Sequence, residues 1–184
     1  MHTILPAILI SYALLLLLVQ DNYVILPAIG GAGEVVIALF VPIPVVALLA
    51  NCLESRLGFA EVSGVRNVAF LDVALSTIVL LSTMALSSIL KIVAEVDGAT
   101  AVGRNTFFLV GLTLCARPVC RQYAVMIPVA WLLTVVFIGY TKNREPRFWT
   151  VVLEPTSNSV ASIACVGVFV AGLLLQLCTS RRMI

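Results

Sequence analysis

Charge is what this chain has least of. Only 11% of its 184 residues are charged, against roughly a quarter in a soluble domain. Hydrophobic residues make up 61%, and the mean hydropathy is +1.14. A water-soluble globular domain is excluded by that balance. So little chain remains between the apolar runs that no soluble catalytic domain of roughly 100 residues fits beside them. The formal net charge of +2 is too small to argue for a nucleic-acid partner, since isolated basic residues at membrane edges account for it.

Catalytic groups are as scarce. The single histidine is His2, which removes histidine-based metal sites and Ser-His triads. There is no G-x-S-x-G and no G-x-x-x-x-G-K-[ST], and neither lysine, Lys91 or Lys142, follows a glycine. The chain therefore cannot use ATP by a Walker mechanism itself. An intramembrane phosphotransferase needs several carboxylates to hold Mg²⁺, yet Asp72 is the one acid in its apolar run. No enzyme, metal or cofactor is expected within this chain. The cysteines, Cys52, Cys115, Cys120, Cys165 and Cys178, are odd in number and form no C-x-x-C. Small apolar fillers at helix contacts describe them best.

What the chain has in abundance is apolar length. A hydrocarbon core of about 30 Å takes about 20 helical residues to cross, and runs such as Ile4 to Val19 and Val160 to Cys178 approach or meet that length. The pattern predicts an all-α polytopic membrane protein, one transmembrane domain over residues 1–184. Its six spans are expected at 4–20, 34–51, 68–93, 100–116, 123–140 and 157–178. The first run lacks a basic flank and ends in Gln20-Asp21-Asn22, so it reads as a retained helix rather than a cleaved signal. Pro27 and the Gly30-Gly31-Ala32-Gly33 cluster break the periodicity after it. Pro42 and Pro44 predict a kink inside the second span.

Leu53 to Asn67 mixes Glu54, Arg56, Glu61 and Arg66 with apolar residues, the composition of a short amphipathic helix at the membrane surface between spans two and three. The run from Arg104 to Tyr140 is too long for one crossing. Arg117-Pro118 and Arg121-Gln122 divide it, with Arg117-Pro118 expected in a tight hairpin. The fourth span is short unless it begins near Thr100, which places Arg104 and Asn105 inside the membrane or at its edge. Phe148 and Trp149 suit the headgroup level.

The intramembrane polar candidates are Asp72, Arg104, Asn105 and Arg117. Asp72 fits a translocation or proton site, or an interfacial carboxylate paired with Arg66 or another basic group; the paired reading is preferred. Arg104 at depth needs a partner, for which Glu95, Asp97 and Asp72 are in reach. Substituting it is then expected to do more harm than substituting Arg144. Gly167 and Ala171 form a small-xxx-small pair on the last span. Basic residues divide almost evenly between the two sides, and Arg181-Arg182 tips the orientation toward cytoplasmic termini.

The stretch RNTFFLVGLTLCARPVCRQYAVMIPVAWLLTVVFIGY resembles the short permease subunits of bacterial type-two ABC exporters, chiefly actinobacterial ones. The matching residues are Arg104-Asn105, Gly111-Leu112, Ala116-Arg117, Pro128 and Ala130-Trp131. Proline precedes tryptophan here, whereas the family pattern has the tryptophan first. Glu54, Glu61 and Arg66 match a second, Glu-then-Arg stretch before span three. The resemblance implies a plasma-membrane subunit that pairs with a second permease copy or a paralogue. It also implies a separate ATP-binding cassette subunit docking on a coupling helix at Glu54, Arg56, Glu61 and Arg66. In the family the segment before span six re-enters the outer face, which corresponds to Arg147 through Pro155. A small secondary carrier and a non-enzymatic accessory or assembly subunit of a membrane complex share these gross features. Lipids, peptides and amphiphiles are all conceivable cargo.

Overall fold

The structure is a computed structural model that describes residues 4–19, 23–28, 31–63, 68–96, 98–141, 146–147, 149–154 and 157–180. Among the described residues six α-helices form a bundle: α1 (Ile4–Leu18), α2 (Pro42–Ser63), α3 (Val68–Val93), α4 (Ala99–Cys120), α5 (Met126–Ile138) and α6 (Ser159–Ser180). Among the described residues four segments are long and apolar enough to cross a membrane, Ile37–Glu54 (a 3₁₀ turn continued by the start of α2), Phe70–Val93 of α3, Ala99–Cys120 of α4 and Ser159–Thr179 of α6, whereas α1 and α5 are shorter apolar helices. The 13 residues of α5 reach only about 20 Å at 1.5 Å per residue. The protein is helical and suited to a multi-pass membrane location by four helices.

Several boundaries differ from the sequence expectation, each for a local reason. Residues 34–36 belong to no helix: strand β2 (Gly31–Val36) pairs antiparallel with β1 (Tyr23–Ala28), Tyr23 opposite Val36. Pro42 and Pro44 do not kink α2; they begin it, after a 3₁₀ turn at Ile37–Phe40. In the first turn of a helix the N–H that proline lacks has no intrahelical acceptor anyway. Nor is there a separate surface helix after span two, because α2 runs unbroken through Ser63 and carries Glu54, Arg56 and Glu61 on that extension. Arg66 lies outside the described residues.

Helix α4 also runs past its expected end. It continues through Arg117-Pro118 to Cys120, so these residues form the last turns of a helix rather than a hairpin. Two non-glycine residues with positive φ bracket it, Glu95 at 52° before and Arg121 at 45° after. Such values are rare for L-residues and turn the chain sharply.

At the centre of the bundle is α4, in contact with α2, α3, α5 and α6. Its apolar window is 67% buried, against 28% for α3 and 22% for α6. Closest approach is to α6, where a Cβ on Gly111 would lie 2.7 Å from the Phe169 backbone nitrogen and one on Gly172 would lie 2.9 Å from the Gly111 carbonyl oxygen. Only glycines allow the two backbones so near. Gly167, half of the expected small-xxx-small pair, meets nothing within 4 Å and is exposed with Ala171. The intramolecular contact uses Gly172 instead.

Candidate functional site

Helix α3 is polar on the inside and apolar on the outside. Asp72, Ser76, Thr83 and Ser87 are buried, while Phe70, Leu71, Ile78, Leu81 and Ile89 are exposed. Residues 72, 76, 83 and 87 share one face at helical spacing, so the segregation follows directly from the sequence register. In water this arrangement would be reversed. Against lipid it is the economical one, since tails solvate leucine and isoleucine while polar groups find partners within the bundle.

Facing that stripe, α4 presents Thr106, Thr113 and Arg117, all but the arginine fully buried. The hydroxyls are largely satisfied within their own helices: Ser76 Oγ donates to Asp72 O (2.8 Å), Thr83 Oγ1 to Leu80 O (2.9 Å), Thr106 Oγ1 to Val102 O (2.8 Å) and Thr113 Oγ1 to Leu109 O (2.9 Å). Toward the far end of α3, the Tyr12 hydroxyl from α1 and Ser87 Oγ lie 2.7 Å apart in a hydrogen bond. Beside them a Cβ on Gly103 would come within 2.8 Å of Ser87 Oγ, so α4 needs its small residue there.

One end of this seam holds an ion pair. Arg117 Nη1 lies 3.0 Å from Asp72 Oδ2, both side chains about nine-tenths buried at 10% and 7% exposure. The same guanidinium reaches two more helices. Nη2 donates to Leu53 O of α2 (2.9 Å), and Nη1 to Gln176 Oε1 of α6 (3.4 Å). Pro118 explains the glutamine. A proline at that position cannot donate to the carbonyl four residues back, and Gln176 Nε2 donates to that carbonyl, Leu114 O, at 3.3 Å. Arg117 thus joins α2, α3, α4 and α6 in one cluster. Asp72 is paired, as expected, but with Arg117.

The other end of α4 is built around Arg104 and Asn105, 6% and 3% exposed. Because α4 begins at Ala99, both residues sit in its second turn, inside the bundle. Arg104 Nη2 donates to Glu154 O (2.7 Å) and Val151 O (3.3 Å), and Asn105 Nδ2 donates to Val152 O (2.9 Å). These bonds hold residues 149–154, a pair of turns that folds back over the bundle as a strap before α6. Trp149 in the strap packs edge-on against Trp131 of α5 (5.7 Å), which leans on Phe108 of α4 (5.8 Å). Asn158 then starts α6, its Oδ1 accepting from Val160 N (3.0 Å) and Ala161 N (3.4 Å), as an N-cap does.

Of the partners anticipated for Arg104, Asp72 belongs to Arg117 and Glu95 is exposed, while Asp97 lies outside the described residues; backbone carbonyls of the strap are among the groups that hold the guanidinium. A cation gripped by carbonyl dipoles gives about 1.5–3 kcal/mol per charged hydrogen bond. Arg104→Ala is expected to lower unfolding stability by about 3 kcal/mol, with Arg147→Ala, on an exposed residue, within about 0.5 kcal/mol of wild type. Reversible unfolding of reconstituted protein checks both; equal losses would show that the strap is held by something else.

Glu54 is half-buried at the end of the apolar part of α2, and Arg56 and Glu61 lie further along the same helix. What sequence reasoning missed was Gln176, the Leu53 carbonyl and the Tyr12–Ser87 bond. The serines and threonines of α3, at the same helical spacing as Asp72, were the available signal. Among the described residues no cluster of His, Cys, Asp and Glu could hold a metal ion. No protein-family model, curated protein or solved structure matches the chain.

Proposed function

We propose that this chain is the membrane-spanning permease subunit of a bacterial ABC exporter. In this reading all six helices enter the plasma membrane, the termini are cytoplasmic, and the translocation path forms with a second copy or a related permease. A separate ATP-binding cassette subunit supplies the energy. The observation that carries the reading is the Arg117 cluster. The Ala116-Arg117 pair that resembles the exporter permeases grips Leu53, the residue immediately before the polar extension of α2 at which an ATP-binding partner would dock. The second point of resemblance, Arg104-Asn105, grips the strap before α6, where such permeases have their outer re-entrant piece. Four long helices that run unbroken among the described residues support a permease over a secondary carrier, whose sites are typically made by broken helices.

The test is purification from mild detergent followed by reconstitution. The expected preparation contains at least two membrane subunits and an ATPase, and Glu61→Ala or Arg66→Ala abolishes the coupling of hydrolysis to transport while the complex stays intact. A lone chain that transports in liposomes without any ATPase would make it a carrier.

A further inference from the structure

We propose that the protein carries a site for one anionic phospholipid between α2 and α5, with the Arg121 guanidinium on the phosphate and an acyl chain along the groove beside it. The inference goes beyond the permease reading and does not depend on it, because it requires only that the helices stand in a bilayer.

The groove comes first. Helices α2 and α5 both pack on α4 but barely on each other. The gap between them is lined by Ile43 and Val46 of α2, Leu109 of α4, and Val125, Pro128 and Val129 around the start of α5. All six are apolar, and the groove is shallow with no enclosed volume. A run of methylenes can lie along such a surface, whereas a polar ligand finds nothing there to bond.

A cation stands at one end of it. The 3₁₀ turn Arg121–Tyr123 packs on both α2 and α4 and leads into the groove-lining Val125, four residues and about 6 Å of helical rise further on. Arg121 is exposed, and its side chain makes no hydrogen bond or ion pair among the described residues. A guanidinium at a membrane edge finds its partner in lipid phosphate, which its planar fork can hold through two bonds. A lipid of net negative charge is preferred, since the cation of a zwitterionic headgroup offsets the attraction. Tyr123 is 64% exposed beside it, and tyrosine settles at the headgroup level.

The backbone adds a third observation. Arg121 has φ 45° and ψ −119°, a conformation that glycine takes freely and an L-residue takes at a cost. Within the described chain the arginine side chain offsets none of that strain. A phosphate contact does.

Native mass spectrometry tests the site, using the full chain in mild detergent with equal amounts of phosphatidylglycerol and phosphatidylcholine. One phosphatidylglycerol per chain is expected, favoured over phosphatidylcholine by about tenfold. Arg121→Gly is expected to abolish that preference and yet to unfold at a higher denaturant concentration than wild type, because glycine relieves the backbone. Val129→Phe fills the groove, leaves the charge, and is expected to lower retention of both lipids by about tenfold. Arg147→Gln removes an exposed cation whose backbone is bonded at the opposite end of α5, and is expected to change nothing. A preference that survives Arg121→Gly overturns the proposal, as does an equal loss in Arg147→Gln. So does a fall in stability with Arg121→Gly, which would make the arginine structural. Displacement of the lipid by millimolar inorganic phosphate would reduce the site to a bare anion contact and overturns it too. Arg121→Gly decides the matter alone should Val129→Phe fold poorly. None of these readouts involves ATP or transport, so this site and the permease assignment stand or fall separately.

Discussion

Arg117→Met is expected to destabilise the protein by about 3–5 kcal/mol, the penalty for leaving a buried carboxylate without its cation. Asp72 and Arg117 are about nine-tenths buried, so water cannot readily replace the lost partner. Asp72→Leu leaves the arginine in the same position and is expected to cost a similar amount, reduced by the bonds it keeps to Leu53 and Gln176. The informative variant is the double one. With both charges replaced by apolar groups of similar volume, much of the loss should return, because burying the pair costs nearly as much in desolvation as its attraction yields. Unfolding by denaturing detergent, measured on all four proteins, gives the cycle. Additive losses would show that the two side chains act independently, contrary to their 3.0 Å separation.

Gly111→Val will prevent α4 and α6 from packing, with a loss of at least about 3 kcal/mol, at the upper end for overpacked cores. The atoms in the way are Phe169 N at 2.7 Å and Phe169 Cα at 2.8 Å from the position of the first added carbon. Both belong to a helix backbone, so no rotamer change can clear them. Gly167→Ala is the matched control on α6. Nothing lies within 4 Å of the added methyl, and alanine favours a helix over glycine by about 1 kcal/mol. In the isolated chain it is expected to match or exceed wild type. Folded yield and detergent unfolding of the two variants check the contrast, and similar behaviour would refute the close α4–α6 approach.

Composition alone determined the solvent of this protein. A chain with 61% hydrophobic residues is suited to lipid rather than water, and the apolar runs put helices near their true places because length and hydropathy are local properties. For Arg104 and Asn105 the sequence left the membrane interior and its edge equally open, since the fourth helix reaches a useful length only by starting near Thr100, and the fold decided for burial. Prolines misled, because their effect depends on position within a helix. Pro42 and Pro44 start α2 harmlessly, and Pro118 is tolerated where Gln176 takes over the freed carbonyl. The strand pair at Tyr23–Ala28 and Gly31–Val36 lay in a stretch read only as a break in periodicity. Partnership was decided by the tertiary structure alone. Arg117 and Asp72 are far apart in sequence, and no local pattern says which carboxylate faces which guanidinium. The same holds for glycines: Gly111 and Gly172 are the ones in contact because the crossing of α4 and α6 falls there, and a crossing point is a property of two helices together.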